Sequence, residues 1–300
     1  MGVVDFHSHY FSRTFFETLA QLSPREGSVE AKLEAVAGRT GLEIPDGDGD
    51  AHLARWLGEL DAGDVEHLVT FASVPPEAEV VADAARRSGG RITGMVMVDP
   101  NDEGQVRRAS GMLRARSVRG ALVFPAMHRF EVAGDEMRGL LAALEAARGV
   151  LYVHCGLLVV KLRDLLGLPR AYDLRFANPL AIVPAADAFP GVRFVIPHFG
   201  AGFFREALIA GAQCANVYVD SSSSNAWVRT NGLELREVFA RALDVFGPER
   251  VLFGTDSGTF PAGWRRDRLE EQRGVLEGLG ASESDAARVF GGNARELLGE

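Results

Sequence analysis

The pattern that most constrains this 300-residue chain is an alternation of short apolar runs with longer helix-like segments. Runs rich in Val, Ile and Phe are each followed by a segment rich in Ala, Leu, Glu and Arg, and the alternation continues to about residue 260. This order is typical of βαβ units, which build a parallel sheet. The predicted strands are Gly2–His7, Glu66–Phe71, Arg91–Val98, Val118–Phe124, Val150–His154, Val192–His198, Asn216–Asp220 and Arg250–Gly254.

A closed barrel accounts for this pattern better than an open sheet does. Eight strand–helix pairs are what a (β/α)8 TIM barrel needs, and about 250 residues is a typical length for that fold. An open doubly wound sheet shows the same alternation, but the glycine-rich phosphate fingerprint that usually follows its first strand is missing here. We therefore predict an α/β fold of the TIM-barrel type, formed by a single domain over residues 1–300.

The alternation is interrupted between the first and second predicted strands. Residues 10–65 contain a helix-like segment at Ser12–Leu22, a stretch rich in Pro, Gly and Asp, and a second helix around Ala51–Ala62. This length predicts an insertion over the barrel mouth. At the other end of the chain, residues 282–300 are predicted to form two short helices that close the barrel, with Gly291-Gly292-Asn293 as the turn between them.

Composition narrows the possible partners and the location. The 41 Asp and Glu residues outnumber the 32 Lys and Arg residues, and a net charge of −9 has the wrong sign for binding nucleic-acid phosphates. No apolar run approaches the roughly 20 residues of a membrane span, and the N-terminus lacks a signal-peptide pattern. Cys155 and Cys214 are expected to be buried free thiols. We expect a cytoplasmic protein with a small-molecule substrate and no nucleic-acid or membrane partner, which could form a homodimer.

Histidines stand at the predicted carboxyl ends of three strands. His7 and His9 follow the first strand, His154 ends the fifth, and His198 ends the sixth. Because all strands of a parallel barrel open onto one face, these side chains can converge there. Asp256 follows the eighth strand, which neighbours the first strand once the barrel closes, so a carboxylate is expected beside His7 and His9.

These residue types favour a transition-metal site. Side chains at positions i and i+2 of an extended strand point the same way, so His7 and His9 can share one ion. Imidazole and carboxylate ligands suit zinc, and also manganese, cobalt or iron, better than calcium or magnesium. A bound divalent ion can lower the pKa of a coordinated water to about 7, which would supply a nucleophile. The remaining histidines are expected to be surface or packing residues: His52, His67 and His128.

Five motifs extend the pattern over nearly the whole chain. They are Asp5-Phe6-His7-Ser8-His9, Tyr152-Val153-His154-Cys155-Gly156, Ile196-Pro197-His198-Phe199-Gly200, Leu252-Phe253-Gly254-Thr255-Asp256 and Phe290-Gly291-Gly292-Asn293-Ala294. Together they resemble the amidohydrolase superfamily and, more narrowly, its amidohydrolase-related branch, which includes aminocarboxymuconate semialdehyde decarboxylase. The resemblance implies one metal ion, with zinc the expected metal, held by His7, His9, His154 and Asp256. It also implies that His198 acts beside the ion as acid, base or carbonyl-polarising group.

Departures from other branches of the superfamily narrow the mechanism. Two-metal members carry a bridging carboxylated lysine or a glutamate at the end of the fourth strand, whereas this strand reads Gly120-Ala121-Leu122-Val123-Phe124-Pro125. The only lysines, Lys32 and Lys161, are not at predicted strand ends. This favours a single metal ion. Some decarboxylases of the branch replace the first histidine with glutamate, and this chain keeps His7, which leaves hydrolysis open.

Hydrolysis of an ester, lactone or amide is the expected reaction, with His198 and Asp256 as the catalytic residues. The alternative is non-oxidative decarboxylation of a small unsaturated or aromatic acid. A third hypothesis is a non-catalytic relative that binds metal or ligand, but no member of the predicted metal-site set is missing, which speaks against it.

Candidate substrate contacts lie in segments expected near the barrel mouth. Decarboxylation needs a group that binds the substrate carboxylate. Arg13 and Arg55 of the insertion could bind it through two parallel hydrogen bonds. Phe203 and Trp227 follow the sixth and seventh strands, where the loops of a barrel meet substrate, so they could line an aromatic pocket.

Overall fold

A computed structural model of the chain describes residues 2–223, 227–228 and 230–299. Eight strands form one sheet in sequence order, and each strand pairs with the next in parallel. The strands are β1 Val3–His9, β2 Val65–Ala72, β3 Ile92–Met97, β4 Gly120–Val123, β5 Val150–Val153, β6 Arg193–Ile196, β7 Val217–Asp220 and β8 Val251–Leu252.

The sheet curves until the segment after β8 meets β1. The N–H of Asp256 donates to the carbonyl oxygen of His7 at 2.9 Å, and the N–H of His9 donates to that of Ser257 at 2.7 Å. Eight parallel strands closed in this way, with helices between them, form a (β/α)8 TIM barrel, which confirms the predicted fold. The closure also places Asp256 against the end of β1.

At least one α-helix lies between each strand and the next, as the alternation in the sequence predicted. The α-helices in the described part of the chain are α1 Arg13–Leu22, α2 Val29–Thr40, α3 Gly49–Gly63, α4 Ala78–Arg87, α5 Glu103–Arg114, α6 Pro125–His128, α7 Arg138–Ala147, α8 Lys161–Leu165, α9 Val183–Ala188, α10 Phe204–Gln213, α11 Leu235–Phe246, α12 Arg266–Leu279, α13 Glu283–Ala287 and α14 Asn293–Leu298.

The segment between β1 and β2 differs in part from its prediction. Helix α2 lies in a stretch for which no helix was predicted, and Ser28 caps it by accepting a hydrogen bond from the N–H of Ala31. Helix α3 packs Trp56 and Leu60 into the core shared with the outer helices, so α3 is part of the outer ring. The segment predicted as an insertion, residues 10–65, thus contains three helices, α1 to α3.

The barrel interior is closed at one end by the last helix. Ala294, Leu297 and Leu298 of α14 pack on the cluster formed by inward-facing strand residues such as Phe6. Arg119, directly before β4, donates to the carbonyl oxygen of Leu298, so α14 covers the amino ends of the strands. Helices α13 and α14 lie where closing helices were predicted, although residue 300 is outside the described residues. The carboxyl ends of the strands are left to form the site.

The two cysteines are packing residues. Both Cys155 and Cys214 are free and buried, as predicted. Burial raises the pKa of the Cys155 thiol, so it is kept in the unreactive protonated form. Among the described residues, no helix has the length and apolar character required to cross a bilayer.

Candidate metal centre

The two histidines of β1 and Asp256 meet at the carboxyl end of the barrel. Nε2 of His9 lies 3.2 Å from Oδ1 of Asp256, and Nε2 of His7 lies 3.5 Å from the same oxygen. One possible ligand atom from each of the three residues lies within 4.8 Å of the others. Two imidazole nitrogens and a carboxylate oxygen that face one point are a donor set that fits a divalent transition metal.

The other ring nitrogen, Nδ1, of both His7 and His9 has a hydrogen-bond partner. Nδ1 of His7 lies 2.7 Å from Oδ2 of Asp220, and Nδ1 of His9 lies 2.7 Å from Oγ of Ser73. Such outer partners orient the ring and leave Nε2 free to coordinate an ion. Neither partner was predicted. Asp220 ends a predicted strand, so the reasoning that found Asp256 could have found it, whereas a serine after a strand carries no comparable signal.

Asp220 also positions His198. Its Oδ1 accepts hydrogen bonds from the N–H groups of His198 and Ser222, both at 2.9 Å, and the Ser222 hydroxyl donates to the same oxygen. Nδ1 of His198 lies 2.9 Å from the carbonyl oxygen of Ser222 and 2.8 Å from its Oγ. Ligand-type atoms of His7, His198 and Asp220 form a second set within 4.8 Å of one another. One carboxylate therefore joins His7 to His198.

Both predicted catalytic residues have left-handed backbone conformations. The φ angle is +57° at His198 and +60° at Asp256. This conformation costs a non-glycine residue roughly 1–2 kcal/mol, and such strain is concentrated at functional sites. Gly254 lets the chain before Asp256 pass close to β1, because a Cβ there would lie 2.7 Å from the Cβ of His7.

His154 lies at the same mouth, on the far side of His198. Its ring centroid is 5.2 Å from that of His198, and it stacks on Phe124 at 5.1 Å. In the part of the chain that the structure describes, its nitrogens belong to neither of the two close sets of ligand atoms. The structure brings His154 beside the other histidines, and its role as a metal ligand stays a prediction.

Burial and neighbouring charges set the protonation of the site. Burial, and then the charges of His198 and His7, lower the pKa of His154 to about 3. Burial also lowers the pKa of His198. For Asp256, burial favours the neutral acid, but the hydrogen bond from His9 and the nearby histidine charges hold its pKa below the usual range. An ionised carboxylate and neutral imidazoles are the forms that bind a metal ion.

The pKa of His7 is shifted in the opposite direction to those of His154 and His198. Burial opposes its charged form, but the carboxylate of Asp220 outweighs burial and raises the pKa of His7. Protonation of His7 therefore competes with metal binding at Nε2.

Both candidate substrate arginines are paired with carboxylates of the protein. Nε of Arg13 lies 2.8 Å from Oε1 of Glu17, and NH2 of Arg55 lies 2.5 Å from Oε2 of Glu43. Arg13 also lines a cleft of about 840 Å³ between α1, α3 and α4, which none of the five predicted metal-site residues lines. A substrate carboxylate would have to compete with a glutamate at either arginine.

The two aromatic candidates lie in the segments that follow β6 and β7. Phe203 is half-buried immediately before α10. Trp227 is 3% exposed, and its ring lies 5.8 Å from that of Phe204. Within the described residues, the buried Nε1 of Trp227 has no hydrogen-bond partner. Packing against Phe204 accounts for part of the burial of Trp227, and both residues stay candidate substrate contacts.

Comparisons with known proteins give one family and one fold. The family model described as "Amidohydrolase" matches residues 4–299. A 2,6-dihydroxybenzoate decarboxylase in complex with 2,6-dihydroxybenzoate has a TM-score of 0.66 at 16% identity, with 100% of this chain and 99% of that chain covered. A 5-carboxyvanillate decarboxylase from Novosphingobium aromaticivorans, in complex with manganese, has a TM-score of 0.67 at 13% identity, with 99% and 96% covered.

A hydrolase shares the same fold. A probable 2-pyrone-4,6-dicarboxylic acid hydrolase from Acinetobacter baumannii, with citric acid bound, has a TM-score of 0.64 at 12% identity, and both chains are covered to 100%. No curated protein matches the sequence significantly. At these identities the likeness establishes the fold and leaves the reaction open.

Proposed function

Because this chain belongs to the amidohydrolase family, we propose that it is a metal-dependent hydrolase that cleaves an ester, lactone or amide bond of a small molecule. We assign one divalent ion, zinc by preference, to His7, His9, His154 and Asp256. The observation that carries the proposal is that Nε2 of His7 and Nε2 of His9 both face one oxygen of Asp256, at 3.5 and 3.2 Å. Each ring is oriented by a hydrogen bond at its Nδ1.

The fourth strand supports a single ion. Residue 124, directly after β4, is a phenylalanine whose ring stacks on His154, so neither an amine nor a carboxylate stands there to bridge two metals. Lys161 is exposed at the start of α8, and Nζ of Lys32 donates to backbone carbonyl groups in and after α1. Neither lysine follows a strand directly.

Asp256 and His198 have different roles in the proton transfers of the proposed hydrolysis. When bound, a divalent ion polarises a carbonyl group and lowers the pKa of a coordinated water to about 7. Asp256, which is ionised, would accept the proton of the attacking water. Ser222 occupies Nδ1 of His198, which leaves Nε2 as the nitrogen that stabilises the developing oxyanion or protonates the leaving group.

Decarboxylation is the second candidate, and the same residues would then deliver a proton to carbon. Two proteins of similar fold are decarboxylases, of 2,6-dihydroxybenzoate and of 5-carboxyvanillate, and this favours decarboxylation. Arg13 and Arg55, the arginines predicted to hold the carboxylate that leaves, are both paired with glutamates, so neither is free to hold it.

A product assay separates these reactions. Metal-loaded protein is incubated with a panel of lactones, esters, amides and aromatic acids, and released acid and carbon dioxide are measured in parallel. We expect acid release without carbon dioxide, abolished by a chelator and restored by zinc or manganese. Carbon dioxide release would favour the second candidate. Turnover that survives chelation would contradict both, and metal binding without turnover on any compound would favour a binding protein.

A further inference from the structure

Three side chains in the segments that follow β4 and β5 have buried polar atoms without a hydrogen-bond partner in the described residues. They are Nδ1 of His128, Nε of Arg163 and the hydroxyl of Tyr172. Leaving a buried polar group without a partner is costly, and native structures contain few of them. Three in one region indicate that something else, a ligand or ordered water, completes their hydrogen bonds.

The three residues lie at the mouth of the barrel, in the segments that follow β4 and β5. His128 ends α6, which begins directly after Phe124, the residue that stacks on His154. Arg163 lies in α8, which follows β5. Tyr172 packs against the hydrophobic cluster that contains Phe124. The cluster of His128, Arg163 and Tyr172 therefore lies at the same mouth of the barrel as the metal centre, and Phe124 links α6 to His154.

Arg163 provides a positive charge to this cluster. Its charge acts on both of the other members: it lowers the pKa of His128 in the same direction as burial, and it opposes the effect of burial at Tyr172. Burial keeps the Tyr172 phenol protonated, so its hydroxyl can donate a hydrogen bond. The nearest carboxylate to His128 is that of Asp99, with Oδ1 4.0 Å from Nδ1, beyond hydrogen-bond distance.

Other arginines of the same loop differ from Arg163. Arg170 is ion-paired with Asp164, and Arg175 is ion-paired with Asp173 at 2.6 Å. In the described residues, Nε of Arg163 has no acceptor, although it is buried. A guanidinium that is left unpaired next to a candidate active site is suited to a carboxylate, which it can bind through two parallel hydrogen bonds.

We propose that Arg163, Tyr172 and His128 form an anion subsite that holds a carboxylate of the substrate while its reacting group lies at the metal centre. Arg163 supplies the charge, and Tyr172 donates to a carboxylate oxygen. The inference rests on the proposed function, because the metal centre defines where the reacting group lies. It narrows the substrate to lactones, esters or amides that carry a further carboxylate.

Binding of simple acids to the metal-loaded protein tests the subsite without turnover. Isothermal titration calorimetry compares benzoate with the three isomers of benzenedicarboxylate, which add a second carboxylate at different positions. We expect at least one isomer to bind wild-type protein roughly 10 to 100 times more tightly than benzoate, as one charge-assisted interaction allows. Arg163→Met should abolish this preference, and Tyr172→Phe should reduce the preference about 3- to 10-fold.

Arg175→Met is the matched control, because Arg175 is exposed on the same loop and already paired with Asp173. It should keep the preference. The subsite is contradicted if wild-type protein shows no preference for any isomer, if the preference survives in Arg163→Met, or if Arg175→Met loses it equally. If Arg163→Met does not fold, the result for Tyr172→Phe, which keeps the aromatic ring, decides in the same way.

Metal content measured on the same samples keeps the two proposals apart. Failure of the metal-dependent reaction appears as a missing ion or missing turnover. Failure of the subsite appears only in the preference for a second carboxylate.

Discussion

Oδ2 of Asp220, at the end of β7, lies 2.7 Å from Nδ1 of His7 on β1, although 213 residues separate them in the sequence. Both side chains are buried, and the other oxygen of the same carboxylate accepts the backbone N–H of His198 at 2.9 Å. Asp220 therefore orients a proposed metal ligand and a proposed acid–base residue together.

Replacing Asp220 with asparagine should weaken metal binding. The amide can keep an oxygen toward His198, but its NH2 group cannot accept a hydrogen bond from Nδ1 of His7, so the imidazole loses its orienting partner. We expect metal affinity to fall about 10- to 100-fold, the usual effect of losing such a partner. Competition with a chelator of known affinity measures this. Asp244→Asn, on the exposed surface of α11, is the control, and equal affinity in both variants would contradict the role of Asp220.

His198→Ala should separate metal binding from catalysis. Loss of an acid–base group lowers turnover by a factor of about 10²–10⁴, and we expect the ion to stay bound because His198 is assigned beside it. Metal content and turnover are measured on one preparation. His67→Ala, which removes a histidine that is hydrogen-bonded to Gly90 on another part of the barrel, should keep both. Loss of the ion in His198→Ala would show that His198 is a ligand.

Gly156 should tolerate no side chain. Its φ angle is +75°, and a Cβ would lie 2.3 Å from the carbonyl oxygens of Gly200 and Ala201. Gly41 is a matched control, since its φ angle is +72° with nothing within 4 Å of a Cβ. Gly41→Ala should lower the free energy of unfolding by about 1–2 kcal/mol. Gly156→Ala should lower it by roughly a further 1–3 kcal/mol, because backbone has to move. Urea unfolding measures both, and equal losses would contradict the close approach.

Glu77 should make stability depend on pH. It is buried and accepts hydrogen bonds from Ser12 and Ser73, and burial raises its pKa from the ordinary 4.5 to about 7. Below pH 4.5 the carboxyl group is protonated in both states, so it adds no dependence on pH. Between pH 4.5 and about 7 the unfolded chain has released the proton that the folded chain keeps, so the free energy of unfolding falls as the pH rises.

The size of this effect follows from the span of the two pKa values. One proton that the folded chain keeps over this pH range lowers the free energy of unfolding by about 3 kcal/mol. Urea unfolding of wild type and Glu77→Gln at several pH values measures it as the difference between the two proteins, since all other groups titrate in both. A difference that stays constant from pH 4.5 to 7 would contradict the raised pKa of Glu77.

Strand periodicity predicted the part of the site that depends on strand ends. His7, His9, His198 and Asp256 converge because the strands of a parallel barrel all end on one face, and this follows from residue spacing alone. Asp220 ends a predicted strand too, and it was missed because only histidines and the aspartate after the last strand were considered.

Side-chain pairing in the loops could not be predicted. The ion pair between Arg55 and Glu43 depends on how the segment between β1 and β2 folds, and spacing in the sequence does not record this. His128 was expected to be a surface or packing residue. Its neighbours Arg163 and Tyr172 are brought beside it by the loop that follows β5, whose path is set by tertiary packing. Ser73 reaches His9 only because of the register between β1 and β2.

Metal content of the purified, active protein tests the central claim most directly. Elemental analysis by inductively coupled plasma mass spectrometry should find one divalent transition ion per chain in wild-type protein. His7→Ala and His9→Ala should lose the ion and the activity together. Active protein without a stoichiometric ion, or full occupancy in both histidine variants, would contradict the account.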